Sequence, residues 1–144
     1  MRKLLPFILA TAVLSGCQTA DDPLNAPTPV SVTGPVASAI AGDMASRLAE
    51  QVGPVGMRTI KMEQDKSEFG IALEAALKGW GYAVITDGKV GKEAKPIELA
   101  YSIDRLDGQV FARLSTPSIA LGRAYRATPA GATPASPLSV MQRN

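Results

Sequence analysis

Two stretches of the chain repeat apolar residues with the period of an α-helix. From Ser38 to Val52 they recur every fourth residue, and Gly53-Pro54 follows as a stop signal. The stripe consists of Ile40, Met44, Leu48 and Val52. The second stretch begins with Asp65 and Glu68, which have capping-box spacing, and continues through Phe69, Ala72, Leu73, Ala76, Leu77 and Trp80. We therefore predict two amphipathic helices, with Asp65 as the second N-cap and Trp80 at the core edge, its N–H hydrogen-bonded.

Other segments alternate apolar and polar residues, as half-buried strands do. Residues 59–63 and 82–86 are short β-prone segments, and residues 97–104 alternate strictly. Asp107-Gly108 is a hairpin-turn signal, and two further alternating segments follow it, at residues 110–114 and 119–125. This order predicts an α+β fold, in which two helices cover one face of a small, mainly antiparallel sheet.

Both ends of the predicted domain, residues 37–127, read as flexible segments. Residues 17–36 are rich in proline and predict a tether, which either spaces the domain from a membrane or has no spacing role. Residues 128–144 repeat alanine, threonine and proline and predict a flexible tail. We predict a partner contact at its last apolar residues, Leu138, Val140 and Met141, which would add to a partner's sheet edge; simple fraying of this end is the alternative.

The first 16 residues have the parts of a cleaved secretory signal. Arg2 and Lys3 precede an uncharged apolar run that is too short to span a bilayer. The run ends in Leu14-Ser15-Gly16-Cys17, which has the form of a bacterial lipobox. We predict that cleavage leaves Cys17 as the first residue, lipidated on sulfur and carrying an N-acyl chain such as palmitate. The alternative is an ordinary signal peptide with a chance cysteine.

This lipid would anchor the chain in the cell envelope, facing the periplasm. The residue after the cysteine is Gln18 rather than aspartate, which by analogy with enteric sorting rules favours the outer membrane. Cys17 is the only cysteine, so its acylation leaves no thiol for disulfides, metals or catalysis.

Composition argues against most kinds of chemistry. There is no histidine, so the commonest general base and metal ligand is missing, and no phosphate-binding glycine loop is present. Arg2 and Lys3 account for the net charge of +2, which leaves the mature chain neutral and without a basic patch for nucleic acid. We expect no enzyme activity, cofactor, metal or small-molecule substrate. Asp104 and Asp107 are explained by a strand face and a turn, although a two-carboxylate hydrolase site stays open.

Several segments resemble the TrbH family of conjugal transfer lipoproteins. They are the lipobox, Gly42 to Glu50, Ala72 to Tyr82, Arg113 to Pro117 and Gly122 to Arg126. The resemblance implies a place in the mating-pair-formation apparatus, a type IV secretion system that moves plasmid DNA, with other secretion subunits as partners. It supplies no functional residues beyond the lipobox, and with a single cysteine any docking is non-covalent. The main alternative is a free-standing envelope lipoprotein that binds peptidoglycan or an envelope enzyme.

Overall fold

A computed structural model describes residues 32–53, 58–89, 91 and 95–144 of the 144-residue chain. They form α1 (Gly34–Val52), β1 (Thr59–Met62), α2 (Glu68–Gly79), β2 (Ala83–Ile85), β3 (Ile97–Leu106), β4 (Gln109–Ser115), β5 (Ile119–Thr128), β6 (Gly131–Pro134) and β7 (Ser139–Gln142). The predicted α+β class is confirmed. The predicted signal peptide and most of the predicted tether lie outside the described residues.

Helix α1 begins earlier than predicted, inside the segment assigned to the tether. It starts at Gly34, and Pro35 occupies its first turn, where the fixed φ of proline suits a helix and no N–H is needed. The Gly34 N–H donates to Glu68 Oε2 at 2.7 Å, which joins the starts of the two helices. The tether boundary at residue 36 is therefore wrong, because a proline that looked like a linker residue is a helix-starting one.

Helix α2 is capped by Ser67 and not by Asp65. Ser67 Oγ accepts a hydrogen bond from the Gly70 N–H at 3.0 Å. Asp65 accepts from the Ser67 N–H at 2.8 Å and from its hydroxyl at 2.7 Å, and these bonds lower the pKa of Asp65, the backbone N–H contributing most. The N-cap is thus two residues later than predicted, no capping box forms because Gly70 stands three residues after Ser67, and Asp65 orients the cap.

The prediction that Trp80 packs at the core edge is also wrong. Trp80 is the C-cap of α2, its side chain is 46% exposed, and it lies outside the buried cluster. Gly81 reverses the chain with a φ of 99°, a conformation that glycine adopts without strain. The next residue, Tyr82, is buried in place of the tryptophan.

The seven strands form one sheet in the order β2-β1-β3-β4-β5-β6, and β7 also pairs with β5. Strand β1 runs parallel to β2 and β3, whereas all other pairs are antiparallel. The predicted hairpin is confirmed, because Asp107 and Gly108 take positive φ values of 52° and 73° between β3 and β4. Strands β1 to β5 lie where the sequence predicts strands.

The predicted flexible tail is wrong, because residues 131–134 and 139–142 are strands β6 and β7. They pair with the two halves of one long strand, since β6 covers residues 125–128 of β5 and β7 covers residues 119–122. Neither strand alternates apolar and polar residues clearly, so the sequence gives no strand signal there. Both are held by the backbone of β5, a tertiary partner that local pattern cannot reveal.

One face of the sheet forms the core with both helices. Strand β4 contributes Val110, Ala112 and Leu114, strand β5 contributes Leu121 and Tyr125, and α1 contributes Ile40, Met44 and Leu48. Helix α2 adds Phe69, Leu73 and Leu77 to the same cluster. The opposite face of the sheet, here called the outer face, has no helix against it among the described residues.

A polar contact fastens α1 to this sheet. The Asp43 carboxylate accepts from Tyr125 Oη at 2.6 Å and from Arg123 Nη1 at 2.9 Å. Arg123 Nε also donates to the Ser136 carbonyl at 3.0 Å, between β6 and β7. Asp43 therefore connects α1, β5 and the C-terminal segment, although it lies outside the apolar stripe of α1.

We predict that Asp43→Ala lowers the free energy of unfolding by about 2 kcal/mol, because it leaves a half-buried guanidinium and a buried phenol without their acceptor. Glu50→Gln is the matched control on the same helix, since Glu50 pairs only at the surface with Arg47 and should change stability by less than about 0.5 kcal/mol. Urea unfolding measures both values. Equal effects of the two substitutions would contradict the role of Asp43.

The three tyrosines of the chain all resist ionisation in the folded state. Burial is the largest cause in each case, raising the pKa of Tyr101 to about 12 and the pKa values of Tyr82 and Tyr125 above their usual range. Hydrogen bonds to Asp65 and Asp43 reinforce the shift for Tyr101 and Tyr125, respectively.

We therefore predict that phenolate absorbance at 295 nm stays low in the folded protein at pH 11 and is high in the urea-unfolded protein. Because these pKa values are raised on folding, the contribution of the tyrosines to stability is complete below about pH 10 and is lost as the pH rises through the folded-state pKa values, about 12 for Tyr101. Coincident titration curves for the folded and unfolded protein would show that the tyrosines are not protected.

Candidate interaction surface

The predicted lipidation site lies outside the described residues. This applies to Cys17 and to the lipobox residues Leu14, Ser15 and Gly16. The predicted tentative contact at the C-terminus is described in full, and the structure divides it. Leu138 packs partly against the core, whereas Val140 and Met141 are 42% and 61% exposed.

Val140 and Met141 point to opposite faces of strand β7. Val140 lies opposite Leu121, on the side of the helices, and Met141 lies opposite Ala120, on the outer face. The three predicted residues therefore do not form one apolar patch. Val140 and Met141 share strand β7, which pairs with β5 on one side and has every residue from Ser139 to Gln142 exposed, whereas Leu138 precedes the strand.

The other side of β7 presents unpaired backbone groups. The Arg143 N–H donates to the Ser118 carbonyl at 2.9 Å. This bond shows which residues of the C-terminal segment direct their backbone N–H and C=O groups toward β5. In an antiparallel pair every second residue bonds to the neighbouring strand, so Ser139 and Met141 also bond toward β5. The N–H and C=O groups of Val140 and Gln142 consequently point away from the sheet, where a further strand would pair.

The adjoining strand β6 on the same side of β5 is protected against such pairing. By the same alternation, set by the bond from the Ala135 N–H to the Ala124 carbonyl, Ala132 and Pro134 face outward. Pro134 has no N–H to donate, and helix α1 packs against β6. No proline or charged residue lies within β7, so it is the part of this edge that accepts a strand most readily.

The outer face beside β7 carries a groove of about 500 Å³. Phe111 and Met141 lie at its sides, and small residues of β5 and β7 form much of its floor. These small residues are Ala120, Gly122, Ala124 and Ser139. A groove of this shape can receive an extended peptide or a side chain from a protein that contacts the edge.

The charged lining of this groove is mainly positive. Arg113 and Arg143 line it together with Asp104, and neither arginine makes an ion pair with any described residue. Its other arginine, Arg123, is neutralised from the helix side by Asp43 at 2.9 Å. The groove therefore offers two unneutralised guanidinium groups to a partner.

A second cavity, of about 670 Å³, lies where strands β1 and β2 end. It mixes charges, because Glu63, Asp87 and a Lys61–Glu98 pair at 3.7 Å all line it. The described part of the chain holds no group of three or more side chains suited to a metal ion. The described residues around this cavity therefore show no metal-binding group.

Both acids considered for a hydrolase site lie on the surface. Asp107 occupies the hairpin turn with positive φ, and Asp104 is exposed on the outer face, as the sequence indicates. Within the described ranges, no helix has the length and apolarity to cross a membrane.

Sequence reasoning missed Arg113 and Gly122 as surface residues of interest. The alternation of β4 places Arg113 on the polar face, but the pattern cannot show that β5 and β7 lie beside it with small side chains. A glycine inside an otherwise regular strand was the available signal.

Two family models match parts of the chain. The family model "Conjugal transfer protein TrbH" matches residues 18–144, and the model "Prokaryotic membrane lipoprotein lipid attachment site" matches residues 1–18. The chain is 70% identical, over the full length of both chains, to a protein of Sinorhizobium fredii (strain NBRC 101917 / NGR234) named "Probable conjugal transfer protein TrbH". No solved structure matches the chain. The lipid attachment match identifies a lipid-anchored envelope protein.

We predict that proline distinguishes the two sides of β7. Met141→Pro removes an N–H that bonds to Ala120 and should lower the free energy of unfolding by about 1 kcal/mol. Val140→Pro removes an outward N–H and should leave stability within about 0.5 kcal/mol. Urea unfolding compares the two variants, and a greater loss for Val140→Pro would reverse the assignment of the free edge.

Proposed function

Because the chain belongs to the TrbH family of conjugal transfer proteins, we propose that it is a lipid-anchored, non-enzymatic component of a plasmid transfer apparatus. The lipid is attached to Cys17, which is the only cysteine and lies within the matched attachment site. Gln18 after it favours the outer membrane, with the folded domain in the periplasm. The protein then acts by holding other subunits of a type IV secretion, mating-pair-formation system near the membrane.

The observation that carries the mode of action is the unpaired edge of β7. Family membership indicates the process, which is conjugal transfer. The outward backbone N–H and C=O groups of Val140 and Gln142 indicate how the chain contacts a partner, namely by hydrogen bonds to an added strand. A partner segment that adds a strand there gains backbone hydrogen bonds, and the exposed Val140 and Met141 add apolar contact on both faces. Two of the C-terminal residues predicted to contact a partner, Val140 and Met141, therefore belong to an edge of this sheet.

A structural role makes no chemical demand on the acidic side chains that line the described cavities. The acids near these cavities are exposed or paired with bases, and no buried titratable pair among the described residues faces a cavity. A protein that holds others by strand pairing needs only a stable sheet and a free edge.

Crosslinking and mating in donor cells test the proposal. Val140→Pro should weaken crosslinking to plasmid-encoded transfer subunits by about fivefold or more, as expected for at least one lost hydrogen bond, and should lower transfer frequency. Val140→Ala keeps the backbone donor and is the matched control. Cys17→Ser should lower transfer by removing the anchor while leaving the domain folded.

Two results would overturn this account. If Val140→Pro and Gln142→Pro both left crosslinking and transfer unchanged, the β7 edge would not be the docking site. If the intact protein crosslinked to peptidoglycan or unrelated envelope proteins but never to transfer subunits, it would be a free-standing envelope lipoprotein.

A further inference from the structure

Neither backbone conformation nor packing inside the domain requires a glycine at position 122, in the middle of β5. The φ of Gly122 is not in the positive range, and a Cβ added there would meet only the Ala112 carbonyl oxygen, at 4.0 Å. A glycine inside a strand weakens it, through extra backbone freedom and a missing side chain. Gly70 is a useful contrast, because a Cβ there would come within 2.7 Å of Tyr101 Oη. Space at Gly122 is therefore available to something outside the domain.

The position of Gly122 shows which direction this space opens. On the outer face, strand register places Arg113, Gly122 and Ser139 side by side on β4, β5 and β7. The same groove of about 500 Å³ includes all three residues. Between Arg113 and the free edge of β7 there is consequently no bulky side chain, and we call the row Arg113, Gly122 and Ser139 the corridor.

Two long side chains that extend toward each other can bridge the corridor. Neighbouring strands are about 4.8 Å apart, so a strand added to β7 would stand about 14 Å from the backbone of Arg113. An extended arginine and an extended glutamate together can close such a gap, provided that nothing bulky stands between them. A valine or larger residue at position 122 would obstruct this route.

Charge decides what the corridor can recognise. Arg113 has no ion pair among the described residues, and Arg143 adds a second guanidinium beside the edge. Arginine recognises carboxylates with directional hydrogen bonds, and the pairing is stronger where water is displaced. Asp104 is the one acid in the groove, which leaves positive charge in excess.

We infer that the strand that docks on β7 belongs to an acidic extended segment of a partner protein, with a glutamate opposite Ser139 that Arg113 binds along the corridor. This inference rests on the proposed function, because it requires a strand at the β7 edge. Arg113 then provides specificity for an acidic strand. The backbone groups of Val140 and Gln142 provide affinity for a strand of any sequence.

The test uses the lipidated mature chain, labelled with ¹⁵N, in detergent micelles. Two seven-residue peptides serve as probes, one alternating valine with glutamate and the other alternating valine with lysine. Amide shifts of Val140 and Gln142 report binding. The glutamate peptide should bind about tenfold more tightly than the lysine peptide, and this ratio should fall as salt rises.

Four variants locate the cause. Arg113→Ala and Gly122→Val should each bring the ratio close to one, the first by removing the charge and the second by blocking the corridor. Gly122→Val has room for its Cβ, so circular dichroism should show an intact fold. Arg126→Ala is the matched control for Arg113→Ala. Arg126 is exposed on β5, the strand of Gly122, but lies outside the groove, so the substitution should keep the ratio. Val140→Pro should weaken the binding of both peptides by about fivefold or more, because it removes one outward backbone donor.

The outcomes separate this inference from the proposed function. Equal binding of the two peptides to the unaltered protein, or a preference that survives Arg113→Ala, would overturn the role of Arg113 while edge docking stands. Failure of both peptides to bind would overturn the inference. Binding of phosphatidylglycerol vesicles through Arg113 and Arg143, with no peptide binding, would make the groove a membrane contact instead.

Discussion

The Asp43 carboxylate joins parts of the chain that are far apart in sequence. Through Tyr125 and Arg123 it fixes α1 to β5, and through Arg123 it reaches the Ser136 carbonyl, where the chain passes from β6 to β7. The Ser136 hydroxyl also accepts from the Ala124 N–H at 2.9 Å. A partly buried carboxylate with two strong donors is a specific contact, since neither donor finds an equal acceptor if α1 shifts. The position of the C-terminal segment therefore depends on a residue of the first helix.

The same arrangement explains why an edge is left open. One side of β5 pairs with β4, and its other side is long enough to hold β6 and β7 in succession. Between these strands the register shifts by two residues, and Arg123 and Ser136 hold the bulge that results. Proline and α1 protect β6, whereas β7 has neither protection. The exposed strand is thus a defined product of the fold, located at the opposite end of the chain from the proposed lipid anchor.

Local pattern predicted those parts of the fold that have local causes. The stripe of α1, the alternation of β3 and the Asp107-Gly108 turn each show in a few neighbouring residues. Strands β6 and β7 could not be predicted in this way, because their hydrogen bonds depend on β5. The contact residues likewise include some that local pattern indicates and some that only the strand pairing reveals. Val140 and Met141 stand out as apolar residues near the C-terminus, but only the register shows that they lie on opposite faces and that Arg113 lies in one row with Gly122.

Site-resolved hydrogen exchange at β7 tests the central claim most directly, in the isolated protein and in transfer assemblies purified from donor cells. If a partner strand pairs with β7, the amides of Val140 and Gln142 exchange rapidly in the isolated protein and become protected in the assembly. The Met141 amide, which bonds to β5, should be protected in both states. Rapid exchange of Val140 and Gln142 in the assembly would contradict docking at this edge.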